Sequence, residues 1–201
     1  MKQDLIEYWI NNNIITDKRL IEAFKKIERE EFVLKEYKDD AYSDIALPIL
    51  KGQTISQPTT VMIMLQALEL KKTDKVLEVG SGSGYNAALL SKLVKKVYTT
   101  EIIPELVEFA KKNLKNIKNV KVIHCDGSKG LKEYSPYDKI IITAASEKVP
   151  DILFKQLKNN GILLAPIGPL HMQSLLKYKK KNNKLEVEDL GNFMFVPLKE
   201  T

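Results

Sequence analysis

Gly80, Ser81, Gly82, Ser83 and Gly84 stand in succession between the apolar run VLEV and a stretch from Tyr85 whose apolar residues recur at helical spacing. A turn of this composition lets backbone approach a ligand closely and aims helix N-terminal amides at it. The next apolar run ends in Glu101, 21 positions after Gly80, where a carboxylate can accept hydrogen bonds from ribose hydroxyls. A third run closes on His124, Cys125, Asp126 and Gly127, and the carboxyl end of a strand is where ligands lie in a doubly wound sheet. Adenine carries an amino group from which Asp126 can accept, although an Asp-Gly turn accounts for the same pair. Loop and acids together point to an adenosine-type cofactor. Tyr85 occupies the place where a dinucleotide fingerprint needs its third glycine, which argues against NAD.

Glu78, inside the first run, is an acid where burial is costly without a partner. It is expected to hydrogen-bond nearby backbone or to sit close to the cofactor. Upstream, residues 52 to 58 read GQTISQP, a polar stretch between ALPIL and the helix-like VMIMLQALEL. Pro58 suits a first helical turn and Ser56 an N-cap, so the stretch can simply start a helix. An N-cap residue beside a pocket can also face a ligand, so the two readings of Ser56 are compatible.

Other chemistry finds less support. His124, Cys125 and Asp126 are neighbours whose side chains alternate between the two faces of a strand, and no other ligand cluster exists, so no metal is expected. His171 is isolated in a loop, and two scattered histidines assemble no Ser-His-Asp arrangement. Cys125 is the only cysteine, which excludes an intramolecular disulfide and fits a reducing compartment. The net charge of +6 is a lysine excess, since Arg19 and Arg29 are the only arginines. Arginine is the better residue for bidentate recognition of phosphates and bases, so this balance does not describe a nucleic-acid surface. No apolar run approaches the ~20 residues of a membrane span, and MKQDLIEYWI lacks the basic start of a signal peptide. A cytoplasmic protein with no membrane contact is expected.

Elements must hold these residues in place. At 201 residues, with no repeat and no Pro/Gly-rich linker, the chain reads as a single domain over 1–201. Residues 1–70 carry apolar positions at helical spacing: Leu5, Ile6 and Trp9; Leu20, Ile21, Phe24 and Ile27; Val61, Met62, Leu65 and Leu68. They form a helical N-terminal layer that carries the GQTISQP motif, with Thr16 or Asp17 capping the second helix. Residues 71–201 alternate short apolar runs with helical stretches, which implies βαβ units, an α/β fold and a mostly parallel sheet with helices on both faces. SLLKYKKKNNKLEVEDL has two strand-like arms around Asn182-Asn183, a C-terminal antiparallel hairpin whose lysines sit at a solvated tip, and FMFVPL reads as a last strand.

GQTISQP, VLEVGSGSGYNAALL, the Asp126-Gly127 pair, PYDKIIITAA and the closing FVPL occur in that order over roughly residues 29–198. In that combination the chain resembles the protein-L-isoaspartate (D-aspartate) O-methyltransferase family. The resemblance implies a Rossmann-like class I S-adenosylmethionine-dependent methyltransferase. It would methylate the free α-carboxylate of L-isoaspartyl residues in damaged polypeptides, leave S-adenosylhomocysteine as product, and so initiate repair; D-aspartyl sites are left open. It implies Ser56 as the active-site serine, with Gln53, Thr54, Ile55 and Gln57 beside it on the substrate side. The cofactor would meet Gly80 to Gly84, with Glu78 nearby, Glu101 on the ribose, and Asp126 and Gly127 beside the adenine. Two departures stand near the substrate side: Leu34 where the family usually has proline, and Thr59 where a bulky residue is common. A monomer is expected. The rival readings are a methyltransferase of the same fold acting on RNA or a small molecule, an NAD-dependent oxidoreductase, and a nucleotide- or nucleic-acid-binding module without catalysis.

Overall fold

The computed structural model describes residues 1–169 and 171–200. Helix α1 (Lys2–Asn11) buries Leu5, Ile6 and Trp9, and α2 (Lys18–Lys26) buries Leu20, Ile21 and Phe24. Asp17 caps α2, its carboxylate accepting from Arg19 N–H at 2.9 Å. The helical layer is then interrupted. Single 3₁₀ turns at Arg29–Glu31 and Lys35–Tyr37 lead into an antiparallel ribbon, β1 (Leu47–Pro48) with β2 (Thr54–Ile55), before α3 (Pro58–Ala67) resumes. Lys51 and Gly52 at the ribbon's tip have φ of 59° and 68°, a backbone state that helices exclude.

Leu34 adopts φ −69° and ψ 156°, the conformation proline would fix. The departure from the family's proline therefore keeps the path of the chain. Leu34→Pro is expected to leave activity unchanged and to raise stability by about 0.4–1 kcal/mol through the unfolded state. A drop in the urea midpoint would contradict this.

The sheet begins with β3 (Lys75–Val79), then α4 (Tyr85–Leu93), β4 (Lys96–Glu101), α5 (Pro104–Leu114) and β5 (Val120–His124). Two 3₁₀ turns, Gly127–Lys129 and Lys132–Tyr134, bring the chain back to β6 (Tyr137–Ile142). Helix α6 (Asp151–Gln156), β7 (Leu157–Ile167), β8 (Gln173–Lys181) and β9 (Lys184–Phe193) complete it. The seven strands lie in the order β5-β4-β3-β6-β7-β8-β9. All are parallel up to β7, and β8 and β9 add antiparallel edges.

Alternation along each strand feeds two cores. Val76, Val97 and Ile141 face one that also takes in Trp9, Phe24, Met62, Leu89 and Leu106 from the first five helices. Leu77, Ile140, Ile142 and Leu163 face the other, which Leu153 of α6 closes. Asn182 and Asn183 have φ of 49° and 63°, the two positive values of a tight hairpin turn. The lysines at this tip are not simply solvated. Lys180 Nζ donates to the carbonyls of Phe154 and Leu157 at 2.9 and 3.0 Å, satisfying the otherwise open C-terminus of α6.

FMFVPL does not make a regular strand. Beyond β9, Phe195 N–H donates to Gln173 Oε1, and Ala145 exchanges hydrogen bonds with Val196 and Leu198 at 2.8 and 2.7 Å. Pro197 between them has no N–H with which to extend a ladder. No helix among the described residues is long and apolar enough to cross a membrane.

Candidate active site

The order of the strands reverses direction between β3 and β6, since β4 leads to one edge and β6 to the other. Carboxyl ends of strands at such a switch point leave a crevice. Here it is a cleft that, with its open mouth included, spans about 890 Å³.

Its floor is the turn from β3 into α4. Gly80 and Ser81 N–H both donate to Thr100 O at 2.9 Å, and Thr143 Oγ1 donates to Val79 O and Gly80 O at 3.0 and 2.7 Å. Gly80 has φ +96°, and a Cβ there would stand 2.4 Å from Thr143 Oγ1. Only glycine fits this turn. Ser81 Oγ and Thr99 Oγ1 are 2.7 Å apart beneath it. Glu101 is buried and accepts from Gly82, Ile102 and Ile103 N–H at 2.9 to 3.1 Å. Three amide donors leave a carboxylate with lone pairs to spare, so it can accept from a diol in the cleft.

The ribbon forms one lip. Ile49 N–H donates to Gln53 O at 2.8 Å, and Lys51 pairs with Glu105 of α5 at 2.6 Å, tying the lip to the helix that follows Glu101. Gln53, Thr54, Ile55 and Ser56 line the cleft with Gly80, Ser81, Gly82, Ser83, Glu101 and Gly127. These ten sequence-derived positions meet in one place.

Four do not line it. Gln57 is the N-cap of α3, makes no side-chain cap, and donates instead from Nε2 to Asp44 Oδ2 at 3.0 Å. Gly84 is the N-cap of α4 with φ +87°, packed on Leu114. Asp126 caps the turn Gly127–Lys129, accepting from Ser128 N–H and Oγ at 3.0 and 2.6 Å and pairing with Lys129 at 3.5 Å. Glu78 lies below the cleft, wholly buried under α4, where Oε1 accepts from Asn86 Nδ2 at 2.7 Å and Oε2 has no partner among the described residues. It bonds a helix side chain rather than backbone, the first of the two placements expected for it. Burial pushes its carboxyl up to about 7 against the nearby Thr99 and Asn86, and the charge of Glu101 adds to the rise.

Ser56 is likewise not a cap. It precedes the N-cap, and its hydroxyl is left without a partner among the described residues. The far wall was missed from sequence: Thr143 and Ala144 follow β6, and Val196, Pro197, Leu198 and Lys199 cross the top. Thr143 and Ala144 end an apolar run as Glu101 and Asp126 do, so that signal was present. Cys125 also lines the cleft, its thiol pushed up by burial and by Asp126.

The family model Protein-L-isoaspartate(D-aspartate) O-methyltransferase (PCMT) matches residues 1–201. A protein-L-isoaspartate O-methyltransferase of Thermosipho melanesiensis is 48% identical over 203 residues, 98% of this chain and 100% of that relative. A solved protein-L-isoaspartate O-methyltransferase superposes with a TM-score of 0.90 at 32% identity over 100% of this chain, which spans 66% of that longer one. A beta-aspartate methyltransferase from Plasmodium falciparum, solved in complex with S-adenosyl-L-homocysteine, gives a TM-score of 0.87 at 29% identity over 98% of both chains. A glycine floor, a carboxylate placed for a diol and a polar lip in one cleft thus coincide with a match along the whole sequence: the chain belongs to the protein-L-isoaspartate (D-aspartate) O-methyltransferase family, S-adenosylmethionine-dependent protein carboxyl methyltransferases.

Proposed function

We propose that this chain methylates the free α-carboxylate of L-isoaspartyl residues in damaged polypeptides, acting as a cytoplasmic monomer of a single domain. The observation that carries the reading is the placement of Ser56 and the glycine turn on one cleft. The residues present fit S-adenosylmethionine. Gly80 leaves room where any side chain would strike Thr143, and Glu101 stands ready for ribose hydroxyls. Gly127 lines the cleft just after β5 and would stand beside the adenine, with Asp126 shaping the turn.

When bound, S-adenosylmethionine supplies a methyl group activated by its sulfonium. The chain's own work is to place an acceptor carboxylate in line with it and to keep water out. A carboxylate is already a competent nucleophile, so no strong base is required. Ser56 Oγ donates one hydrogen bond to the acceptor, and the amides of the lip add others. The apolar walls, Val61, Met64, Leu106 and Val196, lower the local dielectric. That favours a transition state in which opposite charges are cancelling over the separated ions.

Two peptides differing only by isoaspartyl against aspartyl at one residue, incubated with methyl-labelled cofactor, test the reading. Base-labile label on the isoaspartyl peptide alone is expected, and label on bulk tRNA instead would move the acceptor to RNA. Ser56→Ala is expected to lower kcat/KM for the isoaspartyl peptide by about 10- to 100-fold, the worth of a hydrogen bond to a charged group. S-adenosylhomocysteine affinity should stay within about two-fold. Unchanged turnover would remove Ser56 from the acceptor site.

A further inference from the structure

The first turn of α3 lacks a local cap, yet it is capped. Asp44 Oδ1 accepts from Thr59 N–H at 2.9 Å, and Asp44 Oδ2 accepts from Thr59 Oγ1 at 2.6 Å and from Gln57 Nε2 at 3.0 Å. Gln57 is held at both ends, because its Oε1 accepts from Thr60 Oγ1 at 3.1 Å. Thr59 Oγ1 in turn accepts from the indole N–H of Trp9 at 2.7 Å, and Trp9 is fully buried. The single hydroxyl hydrogen of Thr59 is therefore committed to Asp44 and its lone pair to α1, which fixes the rotamer of the hydroxyl. The guanidinium of Arg29 is buried close by in sequence, its Nε donating to Ala41 O at 2.7 Å.

These contacts bracket Ser56. Residues 57 and 59 after it are tied to one carboxylate, that of Asp44, while residues 54 and 55 before it are held in the ribbon. A helix beginning with Ser-Gln-Pro ordinarily draws the serine hydroxyl onto its own amides. Here the amide of Thr59 is served from Asp44 instead. Thr59, at a position where the resemblance leads one to expect a bulkier residue, supplies two of the three donors to Asp44.

We infer that Asp44 is the positioning residue of the acceptor lip: by capping α3 from a distance and clamping Gln57, it releases the Ser56 hydroxyl from capping and holds it on the cleft. The inference rests on the reading of Ser56 given above. Asp44 touches neither cofactor nor acceptor, and it acts through the residues on either side of Ser56.

The test is a double-mutant cycle of Asp44→Ala and Ser56→Ala, read as kcat/KM for the isoaspartyl peptide well below the melting temperatures. S-adenosylhomocysteine affinity is measured alongside. Asp44→Ala is expected to lower kcat/KM by about 10-fold or more, since small misplacements of an acceptor are costly, with cofactor affinity within about two-fold. In the Ser56→Ala background the same change should cost less than about two-fold, because residues that act as one unit are not additive. Asp44→Asn, whose amide caps as well as a carboxylate, should recover part of the loss. Thr59→Val removes one donor without removing the carboxylate, and it should reproduce a smaller share of the effect if Asp44→Ala fails to fold. Equal losses from Asp44→Ala in both backgrounds, or a lowered melting temperature with kcat/KM untouched, would overturn the inference and leave Asp44 a structural cap. Ser56→Ala at wild-type activity would instead show the reading of Ser56 itself to be wrong, and the inference would fall with it.

Discussion

Gly127→Ala is expected to abolish methyl transfer while leaving a folded protein. Gly127 is buried at the start of the turn after β5, and its φ is not the obstacle. A Cβ there would stand 2.3 Å from Thr100 Oγ1 and 2.7 Å from Val79 Cγ1. Neither neighbour yields easily. Both are β-branched side chains on the central strands β3 and β4, and Thr100 Oγ1 is engaged with Glu78 O at 3.1 Å. The turn must therefore move outward, and it lines the cleft at the place proposed for the adenine. Overpacking of this kind costs roughly 1–3 kcal/mol of stability, but the larger effect falls on the cofactor. The thermal shift given by saturating S-adenosylhomocysteine, several degrees for a ligand at 100 times its dissociation constant, should nearly vanish at the same concentration. A full shift in the variant would mean that the ligand does not need the close approach at Gly127.

The second large effect concerns Glu78. Its carboxyl in the folded protein rises from 4.5 to about 7, with burial the main cause. A raised acid stabilises the fold while it is protonated in the native state. That contribution is complete below pH 4.5 and is lost as pH climbs through 7. At roughly 1.4 kcal/mol per unit the loss amounts to about 3 kcal/mol, an order-of-magnitude figure. Glu78→Gln keeps an acceptor for Asn86 Nδ2 and carries no charge, so its stability should not follow this curve. Urea unfolding at pH 5 and pH 8 should show the variant close to wild type at the lower pH and more stable, by about 2–3 kcal/mol, at the higher. Parallel stability profiles across that range would mean that Glu78 is solvated or paired in solution. With no hydrogen-bond partner for Oε2 among the described residues, the site is costly for stability alone, a pattern associated with functional positions.

Much of this was readable from residue order, for a physical reason. The glycine turn, Glu101 and the run ending at Gly127 are local features on strands and helices whose periods are visible in the sequence, and a switch point gathers strand ends automatically. The hairpin at Asn182-Asn183 was legible because the two-residue turn needs positive φ at both positions. What failed was non-local. Ser56 looks like a cap because the residue that actually caps α3, Asp44, lies fifteen positions away across a ribbon. Glu78 finds its partner on the neighbouring helix, eight positions on, and Lys180 serves a helix end 26 positions earlier. The last wall of the cleft escaped because Val196 to Lys199 form neither helix nor ladder, and Pro197 gives no periodic signal.

That wall bears on when the protein can work. Residues 53 to 56 and 196 to 199 line the same cleft from distant parts of the sequence, and the later segment is held there by Ala145 and by Gln173. A ribosome that has made the glycine turn, both strands beside it and the acceptor lip has still not made the site. Until residues 196 to 199 have emerged, the cleft lacks that wall. The order of translation thus delays methyl transfer until the chain has left the exit tunnel through residue 199.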